Sequence, residues 1–295
     1  MPRDSMTADH TAGGSADQTV GDSAAELRTL AIDLATRAGA LAHDGRRRLG
    51  VGQPVAHDTK STPTDPVTEF DRAAEALIVD ALRIARPDDS IVGEEGANHT
   101  GASDYEWHID PIDGTANFVY DLPAWCTSVA VMDEHGPLAG AVYVPVTDEL
   151  FAAARGCGAT RNGTPICCSS ASQLSMALIG TGFNYSPTIR GQQARRLAAL
   201  LPQVRDVRRY GSAALDLCMV ACGRLDAYFE EHLNSWDLAA GVLIASEAGA
   251  VTSNFGAGPA GSDATVASAP ALHPAILAVI ATIDEDNADF EPVER

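Results

Sequence analysis

Asp110 and Asp113 stand three residues apart in the stretch Trp107-His-Ile-Asp-Pro-Ile-Asp-Gly-Thr-Ala-Asn-Phe118. Two carboxylates held that close repel each other unless a cation lies between them, and an oxygen-only donor set favours Mg²⁺ or Mn²⁺. His108 and Ile109 read as the end of a buried strand. Pro111 has no N–H for a sheet ladder, so the strand is expected to stop there. Asp113-Gly114-Thr115 then reads as a tight turn into a helix start, with Gly supplying backbone freedom and Asp and Thr serving as good cap residues. A helix start presents unpaired N–H groups and a positive dipole end, which suits a phosphate. This stretch can therefore hold a metal beside a phosphate. The competing reading is a structural turn carrying solvated acids.

Other acids need elements that bring them to the same place. In Asp65-Pro-Val-Thr-Glu-Phe-Asp71, Thr68 reads as the cap of a helix and Asp71 as its third helical residue. A capping box alone would account for Asp71. Leu77, Ile78, Ala81, Leu82 and Ala85 form that helix's buried stripe, and Pro87 stops it. Ser90-Ile-Val-Gly93 reads as a short strand running into Glu94-Glu95. Paired loop acids are usually solvated, but these follow one buried strand and precede the strand of Asp110, so Glu94 can reach it. Asp237 reads as a helix start directly after Trp236, where the dipole favours a carboxylate in any protein. Ala239, Ala240 and Gly241 would let that helix pack close to a sheet. Glu230 ends a strand upstream and could pair with Arg208 or Arg209.

The rest of the chain supplies the frame. Ser23-Ala-Ala-Glu26 is a capping box opening a helix with Leu27, Leu30, Ala31, Leu34, Ala38 and Leu41 at helical spacing, ended by Gly50. Arg46, Arg47 and Arg48 complement its C-terminal dipole. Strands at 127–132, 138–144 and 149–154 predict an antiparallel meander, and Asn162-Gly163 is a two-residue hairpin turn. From Pro165 strands and helices alternate, which predicts an α/β half. The expected division is a disordered tail over 1–22, a metal-binding α+β half over 23–164, an α/β half completing the site over 165–283, and an acidic tail over 284–295.

The chain has 295 residues, 45% of them hydrophobic, and a net charge of −20. That charge argues against nucleic acid as a partner. It would also repel a phosphate ester, unless bound cations invert the local field. The six cysteines form no Cys-x-x-Cys, and Cys218 and Cys222 fit as small core residues. Free thiols without a secretion signal predict a reducing cytoplasm, and no apolar run is long enough to span a membrane.

Four segments in order resemble the inositol monophosphatase family of Mg²⁺-dependent, lithium-sensitive phosphatases. They are Asp65 to Asp71, Gly93-Glu-Glu95, Asp110 to Thr115, and Trp236-Asp-Leu-Ala-Ala-Gly241 followed by Glu247-Ala-Gly-Ala250. The resemblance covers the chain from about Ser23 to Ile283. It implies a layered α-β-α-β-α sandwich of the inositol monophosphatase/fructose-1,6-bisphosphatase type, usually a homodimer. It implies that Glu94, Asp110 and the carbonyl of Ile112 hold one Mg²⁺, and that Asp110, Asp113 and Asp237 hold a second. A third, weaker ion would sit near Glu94, with Mn²⁺ as an alternative metal. Thr115 would orient the attacking water with Asp71 behind it, and the N–H groups of Gly114 and Thr115 would hold the phosphate. Glu230 would bind polyol hydroxyls, with Gly211, Ser212 and Ala213 lining the same pocket.

The implied reaction is hydrolysis of a phosphate monoester, with myo-inositol 1-phosphate the leading substrate. Fructose 1,6-bisphosphate, histidinol phosphate and nucleotide 3′-phosphates would use the same ligands, but Glu230 and the Gly211–Ala213 context favour a polyol. Some family members act in RNA metabolism through protein partners, so a non-catalytic regulator is the rival of another class. Every implied ligand is intact here. Two positions depart from the family pattern: Ala116 stands where Thr or Lys is common, and Ala250 where Gly is usual. Neither supplies a ligand side chain.

Overall fold

The computed structural model describes residues 15–50, 52–60 and 65–287. The first helix, α1, runs Ser15–Leu49. It begins before the Ser23 capping box, so the expected tail over 1–22 is helical from Ser15, and its first part lies outside the described residues. A small hairpin follows, β1 (His57–Thr59) against β2 (Pro66–Thr68). Then come α2 (Glu69–Ala85), β3 (Ser90–Gly93), β4 (Glu106–Asp113) and α3 (Thr115–Val119). The expected meander is present as β5 (Cys126–Asp133), β6 (Gly136–Val144) and β7 (Glu149–Ala154), and it continues through β8 (Ala159–Arg161) and β9 (Thr164–Pro165). Asn162 and Gly163 turn the last hairpin with φ of 49° and 74°, as a two-residue turn requires.

The later elements are β10 (Leu178–Thr181), α4 (Pro187–Leu200), β11 (Asp206–Arg208), α5 (Ala213–Ala221), β12 (Ala227–Glu231), α6 (Ser235–Glu247), β13 (Val251–Ser253), β14 (Ala264–Ser268) and α7 (His273–Asn287). The final helix reaches past Asp284 into the stretch read as an acidic tail, and residues 288–295 lie outside the described residues. Strands β3 to β9 form one sheet in sequence order, while the second sheet has the order β11-β10-β12-β14-β13.

Alternating side chains give the first sheet two apolar faces. Ile109, Val129, Val131, Ala139 and Ala141 meet Leu34 and Ala38 of α1 and Ile78 and Leu82 of α2. On the other face, Ala130, Val142 and Phe151 meet Ala214, Leu217 and Cys218 of α5 and Ala240 and Ile244 of α6. The same core includes Tyr228 and Ala267 of the second sheet. The outer face of that sheet is covered by Leu200 of α4 and Ile276 and Ile280 of α7. The order of layers is thus α-β-α-β-α, as expected. Among the described residues no helix is long and apolar enough to cross a membrane.

Two expectations need correction. Strand β4 does not stop at Pro111 but runs on to Asp113, with its register against β5 shifting between Asp110 and Asp113. The edge facing β3 is paired only as far as Ile109, so Pro111 need not donate there. Its carbonyl accepts from the Thr127 hydroxyl at 2.8 Å. Arg46 does more than offset a helix dipole: it is buried, its Nε donates to Phe118 O at 3.2 Å, and its guanidinium pairs with Asp121 at 3.3 Å. It therefore ties the end of α1 to the turn after α3.

Candidate active site

The shifted register of β4 is what gathers the acids. Asp110 is 1% exposed, and its Oδ1 accepts the backbone N–H of Ile112 at 3.0 Å. The kink turns Asp113 towards α5, where Oδ2 accepts from Ser212 Oγ at 2.8 Å and Ala214 N at 2.7 Å. Asp237 arrives from α6. That helix starts at Ser235 rather than Asp237 because Asn234, a strong N-cap residue, takes the cap. Asp237 is its third residue, and its Oδ2 accepts Asn234 N at 2.7 Å. One ligand atom from each of Asp110, Asp113 and Asp237 lies within 4.8 Å of the others.

Such a cluster is electrostatically costly. Burial first, then the charges of Glu94, Asp113 and Asp237, pushes Asp110 well above the ordinary carboxylate range. Burial and the charges of Asp113 and Glu94 do the same to Asp237. Asp113 is pushed up to about 6 by burial, against the bonds from Ser212 and Ala214. Only a proton or a cation relieves this arrangement.

These acids open on a cleft of about 370 Å³. Glu94, Asp110, Ile112, Asp113, Gly114, Thr115, Gly211, Ala213, Glu230 and Asp237 are among its lining residues. Gly114 has φ of 95° and serves as the N-cap of α3 with no side-chain cap bond, so neither Asp113 nor Thr115 is the cap. Thr115 Oγ1 lies 3.2 Å from Asp71 Oδ1 and 3.0 Å from Ile112 O. Asp71, fully buried behind it, uses its other oxygen for the expected capping box, accepting Thr68 N at 2.8 Å and Thr68 Oγ1 at 2.5 Å. Asp71 is thus half of a capping box through one oxygen and a neighbour of Thr115 through the other. Glu230 is half-buried, and Tyr228 Oη donates to it at 2.6 Å, while Arg208 pairs with Asp206 at 2.6 Å instead. A side chain at Gly182 would collide with the Glu230 carboxylate. Ser212 is placed differently from expectation: it is buried, faces Asp113 and does not line the cleft.

Residues 23–285 match the model of the inositol monophosphatase family. The chain belongs to this family. It is 48% identical over 274 residues to an inositol-1-monophosphatase of Mycobacterium leprae, a match covering 86% of this chain and 93% of the relative. It is 40% identical over 235 residues to a protein of Haemophilus influenzae named Nus factor SuhB, covering 79% and 86% respectively. The solved structure of Mycobacterium tuberculosis SuhB superposes with a TM-score of 0.76 at 41% identity, covering 88% of this chain and 97% of that one. The protein is accordingly a phosphatase of the inositol monophosphatase family.

Family membership brings divalent-metal use in general, and the donor set here fits it. Asp110, Asp113 and Asp237 offer converging oxygens with no nitrogen or sulfur donor among them, which suits a hard cation. Glu94 Oε2 is buried without a hydrogen-bond partner, so this acid also has coordinating capacity to spare. Its other oxygen lies 2.8 Å from Lys60 Nζ, which also reaches Glu95 at 2.5 Å. Lys60 was not expected at the site. The available signal was a lone lysine beside Asp65, in a chain whose Glu94-Glu95 pair needed a counter-charge. Glu95 is not a solvated neighbour but a buried one, and burial pushes it up to about 7.

Proposed function

We propose that the protein hydrolyses a polyol phosphate monoester with Mg²⁺, myo-inositol 1-phosphate being the leading substrate. The observation that carries this is the Asp110–Asp113–Asp237 cluster sharing one cleft with Glu230. Glu94, Asp110 and Ile112 O would hold one ion, and Asp110, Asp113 and Asp237 another, with room for a third near Glu94. Ions bound there would acidify a water and offset charge on the phosphate oxygens. The backbone N–H groups of Gly114 and Thr115 would hold the phosphate. Thr115 can accept a hydrogen bond from the attacking water and pass its own hydrogen to Asp71 Oδ1. Glu230 would accept substrate hydroxyls, with Gly211 and Ala213 fixing the near wall. Mn²⁺ has the same preference for oxygen donors. Phosphate release from a panel of inositol, hexose, histidinol and nucleotide phosphates tests the substrate. Equal rates across the panel, or a preference for the nucleotide, would remove the polyol reading.

The likeness to a protein named Nus factor SuhB raises a regulatory reading. The complete acidic cluster favours catalysis as this chain's main activity. Exposed Leu49, Tyr120, Leu122 and Val146, around a second hollow lined by His43 and Trp125, support a homodimer. The six free cysteines support a reducing, cytoplasmic setting.

Glu230 makes binding sensitive to pH. Burial pushes its carboxyl up to about 7, so it is largely neutral at about pH 6 and ionised at about pH 8. KM is therefore expected to fall across that interval, and Glu230→Gln to flatten the profile. The stability sign follows from the same shift. A carboxyl raised in the folded state contributes stability at low pH that is lost as pH rises through about 7. The Gln variant should then melt above the parent at about pH 8, and the gap should close towards 4.5, the ordinary glutamate value. A KM profile that keeps its slope in Glu230→Gln would show that the residue does not meet substrate.

Lithium offers a separate check. A small, hard monovalent cation can enter an all-oxygen site but supplies half the charge. Li⁺ in the millimolar range is expected to inhibit, competitively against Mg²⁺ or uncompetitively against substrate. Full activity at high Li⁺ would point to a second site built differently from the Asp110–Asp113–Asp237 arrangement.

A further inference from the structure

Helix α6 carries Asp237 to the cluster. Its inner face is small and apolar. Ala240 lies close against Gly140 of β6, and Gly241 lies so close to Leu217 of α5 that a Cβ there would collide. Apolar contact of this kind is strong but non-directional. A centre whose ligand oxygens must converge needs a directional restraint along the helix axis.

The structure supplies it at the first turn. His108, 5% exposed, shares a face of β4 with Asp110, because strand side chains alternate. Its Nδ1 lies 2.8 Å from Ser235 Oγ, the first residue of α6. Its Nε2 lies 3.0 Å from Glu106 Oε1 on the same strand. A proton on Nε2, beside the Glu106 carboxylate, leaves Nδ1 to accept the Ser235 hydroxyl. One strand further on, Ser128 Oγ donates to Trp236 O at 3.2 Å, and Ser128 is the register partner of Asp110. The first turn of α6 is thus bonded to the strand that carries Asp110 and to its neighbour β5, through the residues immediately before Asp237. His108 is buried, and its register partner Ala130 is buried and apolar, so an imidazole here costs desolvation that packing alone does not require.

We propose that His108 is a positioning residue for the cation centre: through Ser235 it sets the height and rotation of α6, so that Asp237 meets Asp110 at one ion. This rests on reading the acidic cluster as a cation site. It does not depend on which phosphate ester is hydrolysed.

The test measures Mg²⁺ and Mn²⁺ binding by calorimetry on the metal-free protein, with phosphate release alongside. Ser235→Ala and His108→Leu are each expected to weaken Mg²⁺ binding by roughly 10–100-fold, the usual effect of removing a group that orients a ligand. The double variant should bind no more weakly than the poorer single variant, because one bond is lost in both. His108→Asn places an amide where Nδ1 stood and should recover most of the affinity. A purely structural role would lower the melting temperature and leave the metal affinity alone. Unchanged affinity in folded Ser235→Ala overturns the proposal, as does additive loss in the double variant. Ser235→Ala decides the matter alone if His108→Leu does not fold. A parent protein that binds neither cation would remove the metal reading and this proposal together, whereas a parent that binds and variants that bind equally would remove only this proposal.

Discussion

Asp110→Asn is expected to lower turnover by on the order of 10²–10³-fold or more while leaving the fold intact. Asp110 feels the charges of Glu94, Asp113 and Asp237 and is the ligand proposed to serve both ions, so its loss affects both. The amide is isosteric, and its oxygen can still accept the Ile112 N–H, which holds the kink of β4. The electrostatic consequence runs the other way. A buried carboxyl pushed up by burial and three acidic neighbours contributes stability when protonated and loses it as pH rises through its folded value. At neutral pH, removing that charge from the metal-free protein should raise the melting temperature. Added Mg²⁺ should raise it further in the parent and little in the variant. Near-parental turnover at saturating Mg²⁺ would sink the assignment. A melting temperature that falls in step with activity would mean that Asp110 holds the fold and not an ion.

Thr115→Ala should cost about 10²–10⁴-fold in kcat, the usual worth of a positioned proton transfer, with Mg²⁺ affinity little changed. The Thr115 hydroxyl has one hydrogen and two acceptors within reach, Asp71 Oδ1 and Ile112 O. If Ile112 O faces a cation, the hydrogen belongs to Asp71. Asp71→Asn should cost a similar factor, since an amide nitrogen facing Thr115 cannot take that hydrogen. Burial pushes the Asp71 carboxyl up, and Glu94 adds to this, while the Thr68 bonds oppose it. The relay requires the ionised form. The double variant is expected to be hardly worse than either single one, because the pair acts as a unit. Asp71→Asn should also shift the melting temperature, since capping is worth about 1 kcal/mol. Multiplicative losses in the double variant would leave Asp71 as a helix cap only.

How much of this was legible in the sequence depends on how local the cause is. The Thr68–Asp71 box was readable because both partners lie within one helical turn, and the β5–β7 meander because alternation and turn residues are local signals. The helix bearing Asp237 was legible, but its start was misjudged because Asn234, a strong cap, went unused. The run of β4 through Pro111 was not readable. It depends on Thr127 from another strand and on a sheet edge that happens to end at Ile109. Lys60 and His108 were missed for the same reason: each is defined by partners far along the chain, Glu94 with Glu95 and Ser235 respectively. Ser212 was assigned to the right neighbourhood, but which way its hydroxyl points is decided by Asp113 and not by its own segment.

Helices α5 and α6 belong to a core that reaches both sheets. A middle layer owned in common leaves no plane along which one half can swing from the other. The residues lining the cleft come from both sides of that layer, so the fold itself brings them together. Binding energy is then not diverted into closing one body on another, as it is in enzymes that shut around their ligand. The segment Phe183 to Ser186 also lines the cleft. Variation in that segment can alter which molecules enter and how fast products leave while the acids behind it stay where they are.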